Sequence, residues 1–196
     1  MLATPGALPV GPEWLYEVMW DGIRVLAEVR TDDDGAIRLR LSTRAGRDVT
    51  ANFPELADLG AALPDVVLDG EIMLLDRGMP SFAALSGRLQ GIVPAAVAAT
   101  RPATYMVFDV LRLYGVELAG RSLADRRATL ERLDLTAAPA VAVSPAYTDG
   151  PALLAATAQQ GMQGVVAKRC TDPYEPGVRS PGWVAVAHRR GRDRTR

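Results

Sequence analysis

Short β-prone runs broken by Asp-Gly turns, with helices that do not alternate one for one with them, set the limits on what this chain can fold into. A parallel, doubly wound sheet needs a crossover helix after nearly every strand, whereas a hairpin needs only a tight turn. Hairpin signals dominate here. Ile23 to Val29 partly alternates, Asp33-Asp34-Gly35 is a turn signal, and Ile37 to Leu41 alternates cleanly. That pattern predicts a hairpin with one buried face. Upstream, Trp14 to Val18 is a further β-prone run, separated from Ile23 by Trp20-Asp21-Gly22. Val66-Val67-Leu68 predicts a buried strand continuing past Asp69-Gly70-Glu71 to Leu75, and Tyr105 to Leu111 predicts a strongly apolar one. Gly164 to Lys168 and Trp183 to Ala187 complete the strands. Helices are expected from Thr50 to about Leu63, from Phe82 to about Leu89 behind a Ser81 cap, from Leu123 to about Leu133 behind a Ser122 cap, and from Pro151 to Gln160. The expected class is α+β with mainly antiparallel sheets. Residues 1–12 carry Gly and Pro breakers and predict an irregular opening segment.

Composition narrows the function classes. Hydrophobic residues make up 48% and charged residues 23%, enough for a packed core and unlike a disordered chain. The net charge of −1 gives no global sign of a nucleic-acid binder, although a local basic face is compatible with it. One cysteine, Cys170, excludes a disulfide framework and points to a cytosolic protein. The longest apolar runs, such as Pro94 to Thr100, are too short for a bilayer, so no membrane partner is expected. His188 is the only histidine and lacks the partners a metal site needs. The arginines Arg189, Arg190, Arg192, Arg194 and Arg196 form a basic tail, expected to fray and able to touch phosphates weakly.

Taken singly, the polar motifs are ordinary; their order is not. Along the chain come Glu17-Val18-Met19-Trp20-Asp21-Gly22-Ile23-Arg24, Ser42 to Gly46, Leu68-Asp69-Gly70-Glu71, Phe108-Asp109-Val110-Leu111, Gln163 to Lys168, and Trp183 to Ala187. In that order they resemble the adenylation domain of ATP-dependent DNA ligases, in particular the bacterial end-joining kind. The resemblance runs from Met1 to His188. It implies one nucleotidyltransferase (ATP-grasp-like) domain over residues 1–188, with two mainly antiparallel sheets, flanking helices and a nucleotide cleft between them. It implies ATP and Mg2+ as cofactors, nicked or broken duplex DNA as partner, and a role in repair and recombination. The family reaction is attack of a motif lysine on ATP to give lysyl-AMP, followed by sealing of a nick. Carried over, Phe108 would stack the base, Glu71 would serve the ribose or metal, and Glu17 would help read the adenine. Arg24 and Arg44 would bind the ribose and phosphates or the 5′-phosphate of the nick, with Lys168 beside the nucleotide. A second, OB-fold domain follows the last strand in active members; the 196 residues are expected to lack it, leaving a partner protein to supply it.

The chain departs from the family pattern at the reaction centre. Met19 stands where the nucleophilic lysine would be, and a thioether forms no phosphoramidate. Gln163 replaces a metal-binding carboxylate, weakening that site. Ala185 and Ala187 replace the lysines that would contact the phosphates; one such contact is worth about 3 kcal/mol in a transition state. Lys168 is the only lysine among 22 basic residues. It is expected to be a strand-end residue near phosphate or solvent, not a replacement nucleophile. The expectation is a pseudoenzyme reduced to weak binding of ATP, AMP or nicked DNA, or to a relic interaction domain.

Overall fold

The computed structural model describes residues 1–188, so the basic tail falls outside the described residues. The chain opens with strand β1 (Leu2–Pro5), followed by β2 (Trp14–Val18), β3 (Ile23–Thr31) and β4 (Ile37–Thr43). Two 3-10 turns, Thr50–Asn52 and Pro54–Leu56, and the short helix α1 (Leu59–Ala62) lead to β5 (Val66–Met73). A small hairpin of β6 (Leu75–Asp76) and β7 (Met79–Pro80) precedes α2 (Phe82–Ser86) and α3 (Ala95–Thr100). Then come β8 (Thr104–Leu113), β9 (Val116–Glu117), α4 (Leu123–Leu130), β10 (Val141–Val143) and β11 (Ala146–Tyr147). Helix α5 (Gly150–Gln159), β12 (Gly164–Arg169) and β13 (Arg179–Ala187) finish the described chain.

The strands form two main sheets. A five-stranded sheet runs β1-β13-β12-β2-β11, and a six-stranded sheet runs β10-β8-β5-β3-β4 with β9 beside β8. Pairing is antiparallel throughout except for β1 with β13 and β10 with β8. The α+β class with mainly antiparallel sheets is therefore what the chain adopts. The predicted hairpin is present as β3 and β4, paired from Val25–Thr43 to Thr31–Ile37. Its alternation buries Val25, Ala27 and Val29 completely. Each fully buried valine contributes about 1.5–3 kcal/mol.

Local sequence chemistry fixes most helix starts. The Ser81 hydroxyl accepts from the Ala84 N–H, and the Ser122 hydroxyl accepts from the Asp125 N–H, so both expected caps form. The expected helix over residues 50–63 breaks instead into two 3-10 turns and one short α-turn. Pro54 has no N–H to give a continuous ladder. The helix after Ser122 stops at Leu130 rather than Leu133. The opening segment is not irregular throughout, because Leu2–Pro5 pairs in parallel with β13. That pairing is made across nearly the whole chain, and no local pattern announces it. Helix α3, within the apolar run noted at Pro94 to Thr100, and the short strands β10 and β11 were likewise not expected.

Three apolar clusters support the frame. The largest fills the six-stranded sheet's helix-covered face, with Leu56, Leu59, Leu68, Ile72, Leu85 and Tyr105 at its centre. A second joins Trp14, Tyr16, Val165 and Ala167 to Leu153 of α5. A third, Met1, Leu111, Tyr174 and Trp183, draws on both sheets, with Phe108 packed against it. The link from β2 to β3 crosses from one sheet to the other, and this crossing positions the site.

Candidate functional site

A cavity of about 270 Å³ opens where the chain crosses between the sheets. Glu17, Met19, Arg24, Glu71, Phe108, Gln163 and Lys168, all singled out from sequence, line it together with Trp183. These side chains come from six stretches of backbone: β2 and its exit, β3, β5, β8, β12 with the residue before it, and β13. Glycine holds the crossing tight. A Cβ on Gly22 would lie 2.1 Å from the Ile72 carbonyl oxygen, so only glycine lets this turn press against β5. The Met19 N–H donates to the Gly164 carbonyl at 3.0 Å and ties the crossing to β12. Gly164 has φ of +145°, and a Cβ there would meet the Val186 carbonyl at 2.1 Å.

The cleft's charges are paired within the protein. Lys168 Nζ donates to Glu17 Oε2 at 2.9 Å, and both residues are buried. The same ammonium lies 4.2 Å from the centroid of Phe108 and 4.3 Å from that of Trp183. Of the two surroundings expected for this strand-end lysine, phosphate or solvent, solvent is not what it has: it is buried, held by a carboxylate and two aromatic rings. Burial pushes the Glu17 carboxyl up and the Lys168 ammonium down, while the pair's mutual attraction opposes both shifts. Arg127 adds a second cation 3.5 Å from Glu17 Oε1.

Arg24 is held in the same fashion. Its Nε and Nη2 donate to the two oxygens of Asp69 at 2.9 and 2.6 Å, and the Tyr174 hydroxyl donates to Asp69 Oδ2 at 2.8 Å. The fork geometry keeps the guanidinium charged, with its pKa raised further by Asp69 despite burial. Its carbon sits 5.4 Å from the ring centroids of both Phe108 and Trp183. Asp69 and Tyr174 were not singled out as site residues. Asp69 was visible only as a member of its motif, and Tyr174 lies in a stretch with no periodic signal.

Glu71 faces Arg24 directly across β3 and β5. Its carboxyl is pushed up to about 8, first by burial; Arg24 and the Gly22 backbone act against that rise. The ordinary value is 4.5, so between that pH and about 8 the folded chain keeps a proton that the unfolded chain has released. Stability therefore falls as pH rises through this window. Glu71→Gln is expected to raise the melting temperature more at pH 8 than at pH 5. An equal effect at both pH values would show that Glu71 titrates normally.

Not every expected residue reaches this cavity. Arg44 is exposed and lines a neighbouring cavity of about 350 Å³ with Ser42, Thr43 and Tyr174, which shares Arg24 with the cleft. Ala185 sits on β13 opposite Val166 and is absent from the cavity wall. Ala187 lines instead a larger pocket of about 810 Å³ that opens beyond Met19, and Met19 and Gln163 border both spaces. The Gln163 amide donates to the Asp21 carboxylate. Cys170 is a partly buried free thiol.

The donor set offers no all-protein cage for a divalent metal. Among the described residues no three His, Cys, Asp or Glu side chains gather as metal ligands would. The amide of Gln163 is engaged with Asp21, and the carboxylate of Asp69 with Arg24. The wall presents aromatic faces, carboxylates and an ammonium around a small cavity. Among the described residues no helix is long and apolar enough to cross a membrane.

Comparison with known proteins bears on this arrangement. The sequence model of the family described as "ATP dependent DNA ligase domain" matches residues 7–186. The chain is 40% identical over 194 residues to the multifunctional non-homologous end joining protein LigD of Mycobacterium bovis, covering 96% of this chain and 24% of that protein. It is 31% identical to the SPbeta prophage-derived DNA ligase-like protein LigB of Bacillus subtilis, covering 88% of this chain and 60% of that one. Among solved structures, mycobacterial DNA ligase D complexed with ATP and MES superposes with a TM-score of 0.76 at 37% identity, over 95% of this chain and 59% of that one. The chain thus spans about a quarter of the LigD relative's length.

Proposed function

The chain belongs to the ATP-dependent DNA ligase domain family, and from that premise we propose that it is an adenylation-type domain that holds an adenine nucleoside or nucleotide without becoming adenylated. The observation that carries this reading is that the cleft wall holds no free amine among the described residues: Met19 has none and the amine of Lys168 is bonded. Position 19 offers a thioether at the cleft wall, and Lys168 is bonded to Glu17 and wedged against two rings. An amine attacks phosphorus only as the free base with its lone pair aimed at the target. Lys168 meets neither condition while it donates to Glu17.

In this reading Phe108 stacks the base once Lys168 has shifted aside, and Glu17 reads its polar edge. Glu71 lies on the ribose side beside Arg24. Contact with broken or nicked duplex DNA, inside the cell and alongside other domains or partners, follows from the end-joining name of the LigD relative and belongs to the same proposal.

Intact-protein mass spectrometry after incubation with ATP and magnesium tests the catalytic half. No mass gain is expected; a gain of one AMP, removed by pyrophosphate, would overturn the reading and make Lys168 the first suspect. Isothermal titration with adenosine tests the binding half. Phe108→Ala is expected to weaken adenosine by about 5- to 150-fold, since base–aromatic stacking is worth about 1–3 kcal/mol. A second reading, a relic domain whose cleft is filled by its own side chains, is favoured by one distance: Lys168 Nζ sits 4.2 Å from the Phe108 ring, where a base would stack. Absence of any adenosine binding would select it.

A further inference from the structure

The chain has six methionines, and burial divides them. Met1, Met73 and Met106 are buried among the core side chains. Met19, Met79 and Met162, the three that keep accessible surface, all line the pocket of about 810 Å³ beyond Met19, and His188 lines it with them. Backbone bonds bring three of these four to one short segment. The Met19 N–H donates to the Gly164 carbonyl at 3.0 Å, the His188 N–H donates to the Gln163 carbonyl at 2.8 Å, and Met162 directly precedes those two acceptors. The histidine ring is also oriented. The Thr157 hydroxyl donates to the carbonyls of Leu153 and Leu154, both at 3.0 Å, which uses its one hydrogen. In the 2.9 Å bond between Thr157 and His188 Nε2, the ring is therefore the donor. With that proton on Nε2, the neutral ring carries its lone pair on Nδ1.

Metal-binding imidazoles are held in this way, one nitrogen donating to a protein oxygen and the other turned to the metal. Hard divalent ions take carboxylate, carbonyl and water oxygens, whereas polarisable thioethers together with imidazole suit Cu(I). We propose that Met19, Met162 and His188 Nδ1, with Met79 from the β6–β7 hairpin, form a binding site for a soft monovalent cation, Cu(I) or its analogue Ag(I). The partners that His188 lacks among His, Cys, Asp and Glu side chains are then thioethers. The Asp21 carboxylate and the C-terminal end of α5 at Gln160 line the same pocket and add negative potential that suits a cation. The site is independent of the nucleoside reading, since it uses neither Phe108 nor the Glu17–Lys168 pair.

Silver(I) titrated into the full chain in chloride-free buffer tests this, with Cys170→Ser as the parent so that the one thiol does not compete. Isotope labelling of the methionine methyl groups, read by NMR, shows which sulfurs bind. The expected result is a one-to-one complex in which the Met19 and Met162 methyl signals shift while those of Met1, Met73 and Met106 stay in place. Zinc(II) in about tenfold excess is expected to leave the silver bound, because its preference for thioethers is weaker. Met19→Leu and Met162→Leu keep the volume and remove the sulfur. A side chain that only orients a metal ligand is worth about 10–100-fold in affinity, so each variant is expected to weaken silver about tenfold or more in calorimetric titration. Unmoved Met19 and Met162 signals in the parent, silver spread over all the methionines, leucine variants that bind like the parent, or displacement by zinc(II) would each overturn the proposal.

Discussion

Arg126→Met is expected to destabilise the fold by about 3–5 kcal/mol, the cost of leaving a buried charge without its partner. Arg126 and Asp109 are both wholly inaccessible to solvent. Arg126 Nε and Nη2 donate to the two Asp109 oxygens at 2.7 and 2.9 Å, and Nη1 donates to the Arg121 carbonyl at 2.6 Å and the Asp172 carbonyl at 3.2 Å. Methionine fills similar volume but satisfies none of these acceptors. What remains is a buried Asp109 whose nearest help is the N–H of Val110 at 3.0 Å. Domain stabilities are about 5–15 kcal/mol, so this one change removes a large share. Urea unfolding would measure it as a fall in midpoint at unchanged slope. The double variant Arg126→Met with Asp109→Leu removes both charges and is expected to recover much of the loss. A single variant as stable as the parent would mean that Asp109 finds another partner or a proton at little cost.

The second large effect has opposite signs on stability and on binding. Lys168→Met removes the cation that neutralises Glu17, leaving that buried carboxylate with Arg127 Nη1 at 3.5 Å. The expected loss is about 3 kcal/mol, the low end for a broken buried pair because Arg127 stays close. The same change takes the ammonium off the faces of Phe108 and Trp183. Adenosine would then stack without first displacing a side chain, so its affinity is expected to rise as stability falls. Calorimetric melting and titration on one preparation would read both. A fall in adenosine affinity would show that Lys168 contacts the ligand more than it obstructs it.

Sequence reading located the cleft through motif order, and those motif residues do converge. Glu17, Arg24, Glu71, Phe108, Gln163 and Lys168 come from strands far apart in the chain yet share one wall. What stayed hidden was how they are used. Nothing in the run Gly164 to Lys168 says that its terminal lysine turns inward to Glu17 across two strands, because a period of two assigns a face and not a partner. Arg126 read as one more charge on a helix, and its burial depends on α4 packing on β8. The parallel pairing of β1 was invisible for the same reason: its partner lies at the other end of the chain. Helix caps, by contrast, were legible because the bonding group and its target are three residues apart.

The strand order of the two sheets carries a consequence for synthesis on the ribosome. Every strand of the six-stranded sheet lies between Ile23 and Val143, whereas the five-stranded sheet needs β12 and β13 to join β1 and β2. Growing at about 5–20 residues per second, the nascent chain can close the first sheet while β1 and β2 still wait for neighbours. Those early strands, with Trp14 and Tyr16 uncovered, are then open edges that a trigger-type holdase or a neighbouring polysome could capture. The cleft, lying between the sheets, closes only after β12 and β13 have joined.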